Sequence, residues 1–97
     1  MTVIWSKIAV KQLLNIIQYI EENSFESYAD TLEKDILTKI SQLPSNHFHH
    51  PADRFKLEND GSYRAFEIDR YRISFRIINN EIRILQIRHT RRLPKQY

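Results

Sequence analysis

Tyr63-Arg64-Ala65-Phe66-Glu67-Ile68, Tyr71-Arg72-Ile73-Ser74-Phe75-Arg76-Ile77-Ile78 and Glu81-Ile82-Arg83-Ile84-Leu85-Gln86-Ile87-Arg88-His89 decide the fold of this chain. Each run is rich in β-branched and aromatic residues and alternates apolar with polar side chains, which predicts three successive strands. Asn79-Asn80 separates the second from the third and suits a two-residue hairpin turn, because asparagine tolerates positive φ. Asp69-Arg70 carries less turn chemistry but occupies the equivalent place in the first hairpin.

Upstream of this meander the period changes. Thr2–Trp5 is long enough for one short strand, and Ser6 follows as an N-cap. Ala9, Leu13, Ile16, Ile17 and Ile20 then recur at helical spacing until Asn23-Ser24 breaks the pattern. A second helix, capped by Ser24 or Ser27, carries the stripe Phe25, Ala29, Leu32, Ile36, Ile40 and Leu43 and stops at Pro44. Pro44–Ser62 has no periodicity, and only Arg54–Leu57 reads as a short extended piece. The expected class is α+β: an N-terminal strand, an antiparallel two-helix hairpin, then a three-stranded antiparallel meander, with the helices on one face of the sheet.

The 97 residues are expected to form a single domain, 1–97, since a second core has too little chain to draw on. The absence of cysteine excludes a disulfide scaffold, a thiolate metal site and a cysteine nucleophile, and fits a reducing, cytoplasmic setting. Nothing near Met1 reads as a signal peptide, and no apolar run approaches the roughly 20 residues of a membrane helix, so no membrane partner is expected. Charge is unevenly distributed. Residues 1–60 carry six Lys/Arg against nine Asp/Glu, and residues 61–97 carry nine against three, eight of them arginine. Such a half is either built to meet an anion or an acidic partner, or it is attracted to the acidic half within the fold.

Strand parity sharpens the first alternative. With Asn79-Asn80 as the turn, Ile77 opposes Ile82, Phe75 opposes Ile84 and Ile73 opposes Gln86, and this set is the expected core side. The other side collects Arg72, Ser74, Arg76, Arg83, Leu85, Ile87 and His89, joined through the first turn by Tyr63 and Glu67. Arg76 falls across from Arg83, an unfavourable pair unless an anion or acid lies between them. A bulge in the hairpin would shift part of this set.

Metal-free RNA cleavage needs a base, an acid and a cation for the phosphorane charge. Glu67 or His89 is a candidate acid or base, Arg72 or Arg76 a candidate phosphate ligand, and Tyr63 or Tyr97 a candidate stacking surface. The competing reading is an ordinary polar sheet face whose Glu67–Arg72 pair is worth about 0–1 kcal/mol. His47-Phe48-His49-His50 invites a metal, yet Asp53 is the one nearby carboxylate, and a solvated loop is the expectation. A single glycine excludes a glycine-rich phosphate loop, so neither metal nor cofactor is expected.

Tyr63-Arg64-Ala65-Phe66, Tyr71-Arg72-Ile73-Ser74-Phe75 and Ile82–His89, closed by Arg88-His89-Thr90-Arg91-Arg92 with Pro94 and Tyr97, resemble the RelE/ParE superfamily of bacterial toxins. Trp5-Ser6, Ala9, Leu13, Ile16, Tyr19-Ile20 and Ala29 extend the likeness over nearly the whole chain. The resemblance implies the toxin of a type II toxin–antitoxin pair, bound by a cognate antitoxin protein through a helix and an extended segment. One branch, like RelE and YoeB, cuts messenger RNA on the ribosome, and the other, like ParE, poisons DNA gyrase.

For the nuclease branch, Arg72 aligns with a phosphate-contacting arginine, whereas the family's histidine falls at Thr90 and Glu67 is a candidate by parity alone. His89-x-x-Arg92 looks more like the ParE branch, so a gyrase inhibitor is the favoured expectation. A ribosome-dependent nuclease using Arg72, Glu67 and His89 is the alternative, and a toxin-like binding module is a third. Arg76, Arg83, Arg91, Arg92 and Tyr97 are the candidate phosphate- or target-binding residues, and removal of 91–97 is expected to relieve toxicity while sparing the fold.

Overall fold

Both hairpin turns form as their chemistry requires: Asn79 and Asn80 have φ of 51° and 60°, and Asp69 and Arg70 have φ of 46° and 71°. A computed structural model describes residues 1–23, 25–91 and 96–97. The chain runs β1 (Thr2–Trp5), α1 (Lys7–Glu22), α2 (Glu26–Ser41), a one-turn α3 (Leu43–Asn46), a 3-10 turn at His47–His49, β2 (Tyr63–Ile68), β3 (Tyr71–Ile78) and β4 (Glu81–His89). The expected meander is present. β1 adds to it as a fourth strand, parallel to β4, in the order β1-β4-β3-β2.

Helices cover one face of this sheet. Leu13, Ile17 and Ile20 of α1 and Leu32, Ile36 and Ile40 of α2 pack with Phe66, Ile73, Phe75, Ile82, Ile84 and Ile87 in one core. Ser6 caps α1 as expected, its Oγ accepting the Ala9 N–H at 3.0 Å. The start of α2 differs. Phe25 is its N-cap, without a side-chain cap, and Ser27 lies inside the helix; Ser24 is outside the described residues. Nor does Pro44 end α2, which stops at Ser41; Pro44 sits in the first turn of α3, where its missing N–H costs nothing.

The segment after α3 is also more ordered than its sequence suggests. Ala52 bridges Arg64, and Asp53 N–H donates to Tyr63 O at 2.8 Å, so this segment covers the outer edge of β2. The extended piece expected at Arg54–Leu57 is instead a turn, with Lys56 N–H donating to Asp53 O at 3.2 Å.

β3 and β4 slip register between Ser74 and Phe75. Ile77 opposes Ile82 and Phe75 opposes Ile84 as expected, but Ser74 opposes Gln86 and Ile73 opposes Ile87, leaving Leu85 as the extra residue of a β-bulge. A bulge strands backbone polar groups, and α1 supplies their partners. Ser6 Oγ donates to Leu85 O at 3.1 Å, and the Ile87 N–H donates to Gln12 Oε1 at 2.7 Å. Ser6 therefore serves the cap and the bulge together. Ser6→Ala is expected to cost about 1–2 kcal/mol, read as a lowered urea midpoint at unchanged slope.

Candidate functional site

The bulge decides which side chains share the face opposite the helices. From the first hairpin come Tyr63, Ala65 and Glu67, opposite Arg76, Ser74 and Arg72. On β4, Arg83 lies opposite Arg76 as expected, but beyond the bulge Gln86 and Arg88 take the places assigned by simple alternation to Ile87 and His89. Ile87 enters the core, and His89 lies opposite Tyr71 on the helix side, its ring edge-on to the Tyr71 ring at 5.0 Å. His89 is thus separated by the sheet from Glu67 and Arg72.

Its ring is committed as well. Nδ1 accepts the Arg91 N–H at 3.0 Å, which places the ring proton of the neutral imidazole on Nε2.

Arg72, Arg76 and Arg83 of this face are each paired with acids from within the chain. Asp53, which is 2% exposed, is carried over the β2 edge by the segment that bridges Arg64. Its Oδ1 accepts from Arg72 Nη2 at 2.8 Å and from the Phe55 N–H at 3.0 Å, and its Oδ2 accepts from the Tyr97 hydroxyl at 2.7 Å. Arg72 also reaches Glu67 Oε1 at 3.4 Å and stacks on the Phe55 ring at 4.8 Å.

Arg76 lies over the Tyr63 ring at 4.6 Å, donates to Ser62 Oγ at 3.1 Å and has Asp60 at 3.9 Å. Arg83 turns to Glu81 on its own strand, at 2.9 Å. The opposed pair Arg76–Arg83 is therefore tolerated because each guanidinium has its own acid.

Tyr97 is built into the same arrangement. Its N–H donates to Phe55 O at 2.9 Å, its carbonyl accepts the Leu57 N–H at 2.6 Å, and its ring meets Tyr63 edge-on at 6.1 Å. Lys56 Nζ lies over both rings, at 4.7 and 5.4 Å. Burial raises the Tyr97 phenol, and the hydrogen bond to Asp53 and that carboxylate's charge push it further the same way, so it remains a donor. Arg91 is exposed just beyond β4, and Arg92 lies outside the described residues. His50 stacks against Phe66 at 4.9 Å on the helix side, where burial lowers its pKa, followed by the charges of Lys39, His49 and Arg64.

Burial alone would raise the Asp53 carboxyl, but the hydrogen bonds from Tyr97, Arg72 and the Phe55 N–H, with the Arg72 charge, reverse the sign and hold it below the ordinary value. A depressed folded-state pKa contributes stability that is complete above the unfolded carboxylate value and is lost as pH falls through the folded one. Between about pH 5 and pH 3 the urea midpoint of the wild-type chain should accordingly fall more steeply than that of Asp53→Asn. Parallel acid limbs would contradict the role given to this carboxylate.

Sequence reading missed Asp53, Phe55 and Asp60 as partners of the arginines. The one signal for Asp53 in the sequence is its place as an acid just ahead of the basic half, within a stretch that reads as a solvated loop.

Comparison with known proteins now adds to this geometry. Residues 3–94 match the family model described as the ParE toxin of the type II toxin–antitoxin system parDE. The chain belongs to the ParE toxin family. Among solved structures, the chromosomal ParDE TA system from P. aeruginosa is similar, with a TM-score of 0.72 and 19% identity over 92% of this chain and 95% of that one. No curated protein matches the chain. ParE membership covers both the helical hairpin and the meander, and the solved structure shares the α+β fold described above. No helix among the described residues is long and apolar enough to cross a membrane.

Proposed function

We propose that this ParE family member inhibits DNA gyrase and is held inactive by a cognate antitoxin. The observation that carries the choice of target is the dispersal of the nuclease candidates. Glu67 and Arg72 sit on one face of the sheet and His89 on the other, while the best-placed phosphate ligand, Arg72, is paired with buried Asp53. General acid–base cleavage needs base, acid and cation within reach of a single phosphate. This arrangement favours the gyrase reading over a ribosome-dependent nuclease.

The family match supports an antitoxin partner, and so does the surface of α1. Val10 and Leu14, one turn apart, are exposed there, apolar area that suits a partner folding onto it. Arg91, Arg92 and Tyr97 are the proposed target-facing group. Because Tyr97 is anchored to Asp53 and Phe55, removing 91–97 also removes a structural tie, and point substitutions are the cleaner test.

Pulse labelling just after induction in a bacterial host without antitoxin separates the readings. Thymidine incorporation is expected to fall first, with methionine incorporation holding. The reverse order would make the arginine face a nuclease site, and continued growth with neither falling would leave a binding module.

A further inference from the structure

A second site lies on the helix side of the sheet, away from the arginine face. A cleft of ≈ 500 Å³ opens between α1 and the ends of β3 and β4, lined among others by Gln12, Asn15, Tyr19, Tyr71, His89 and Arg91. Its lining is rich in donors, and among the described residues no Asp or Glu lines it. Arg91 is always charged. His89 Nδ1 accepts the Arg91 backbone N–H, which leaves Nε2 as the ring's donor. Burial first, then the charge of Asp69 beyond the lining, raises the Tyr71 phenol, so its hydroxyl is a donor. Gln12 has already given its Oε1 to the Ile87 N–H, so the uncommitted end of its amide is the –NH2 donor.

A lining of donors with no carboxylate among them favours an anion. The volume falls in the roughly 300–1,000 Å³ range of small-molecule sites, too large for a lone inorganic anion to fill. Ile16 and Ile87 contribute apolar lining, and Tyr19, 68% exposed, offers an aromatic surface for an organic body.

We propose that this cleft binds a phosphomonoester of mononucleotide size, with the phosphate at His89 and Arg91 and the organic body along Tyr19 and Ile16. The cleft shares Arg91 with the proposed target-facing group but uses none of the residues of the arginine face, and a binding measurement made without gyrase tests it apart from that reading.

Isothermal titration of the full chain with adenosine monophosphate, ribose 5-phosphate, adenosine and inorganic phosphate tests this. Saturable binding of adenosine monophosphate is expected, tighter than that of inorganic phosphate or of adenosine, with ribose 5-phosphate showing whether the base contributes. Arg91→Gln and Tyr71→Phe should weaken it, the first by at least about tenfold. Lys34→Gln, exposed on α2 and outside the cleft lining, should leave it unchanged, and far-UV circular dichroism should show all three variants folded. Absence of saturable binding by either phosphomonoester at millimolar concentration, equal affinity in Arg91→Gln, or inorganic phosphate binding as tightly as the nucleotide would overturn the proposal. So would exclusive binding of an acidic peptide such as a glutamate oligomer.

Discussion

Phe75→Ala is expected to lower the unfolding free energy by about 3–5 kcal/mol, a large share of the roughly 5–15 kcal/mol that holds a domain of this size. Phe75 is wholly buried at the centre of the sheet, opposite the equally buried Ile84 and immediately beside the bulge. Its ring packs against Phe66 at 6.2 Å and meets His50 edge-on at 6.1 Å. Those neighbours are held by β2 on one side and by the segment after α3 on the other, so they cannot readily collapse into the space left behind. Equilibrium urea unfolding measures the loss, with Ile84→Val as a smaller deletion expected to cost about 0.5–1.5 kcal/mol. A Phe75→Ala cost no larger than that of Ile84→Val would mean the core is not centred where the register places it.

The second large effect is expected at Asp53. Asp53→Ala removes the acceptor shared by Arg72, Tyr97 and the Phe55 N–H. Breaking a buried pair by deleting one partner costs about 3–5 kcal/mol. Because the Arg72 side chain is 20% exposed and keeps Glu67 at 3.4 Å, about 2–3 kcal/mol is expected here.

Tyr97→Phe deletes one of these hydrogen bonds and should cost about 1 kcal/mol alone, but close to nothing in the Asp53→Ala background. Additive losses in that double-mutant cycle would show that Tyr97 is not held through Asp53. The cycle also bears on function, because it separates loss of the Tyr97 anchor from loss of a target-facing group.

The contrast between what was legible in the sequence and what was not follows the range of the interactions. Ser6, Asn79-Asn80 and the period-two runs act within a few residues of themselves, and the elements they specify are present. The bulge at Leu85 is different. It is stabilised by Ser6 and Gln12, 79 and 75 residues from the groups they satisfy, and no local pattern in Glu81–His89 records them. A one-residue slip inverts every side chain beyond it, which is why His89 was assigned to the wrong face while Glu67, Arg72, Arg76 and Arg83 were assigned correctly. Asp53 escaped for the same reason. Its partners Arg72 and Tyr97 lie 19 and 44 residues away, across an aperiodic segment whose path depends on the β2 edge it covers. Arg92, the other half of the closing His89-x-x-Arg92 pattern, lies outside the described residues.

We propose above that the chain acts on gyrase and not on RNA. The most direct test is to add the purified full chain, freed from antitoxin, to purified gyrase with relaxed plasmid and, in parallel, to ribosomes programmed with messenger RNA. Loss of supercoiling with accumulation of cleaved plasmid, weakened by Arg91→Ala, alongside intact messenger RNA is the predicted result. Intact supercoiling with messenger RNA cut on the ribosome, abolished by Arg72→Ala in a folded variant, would contradict it.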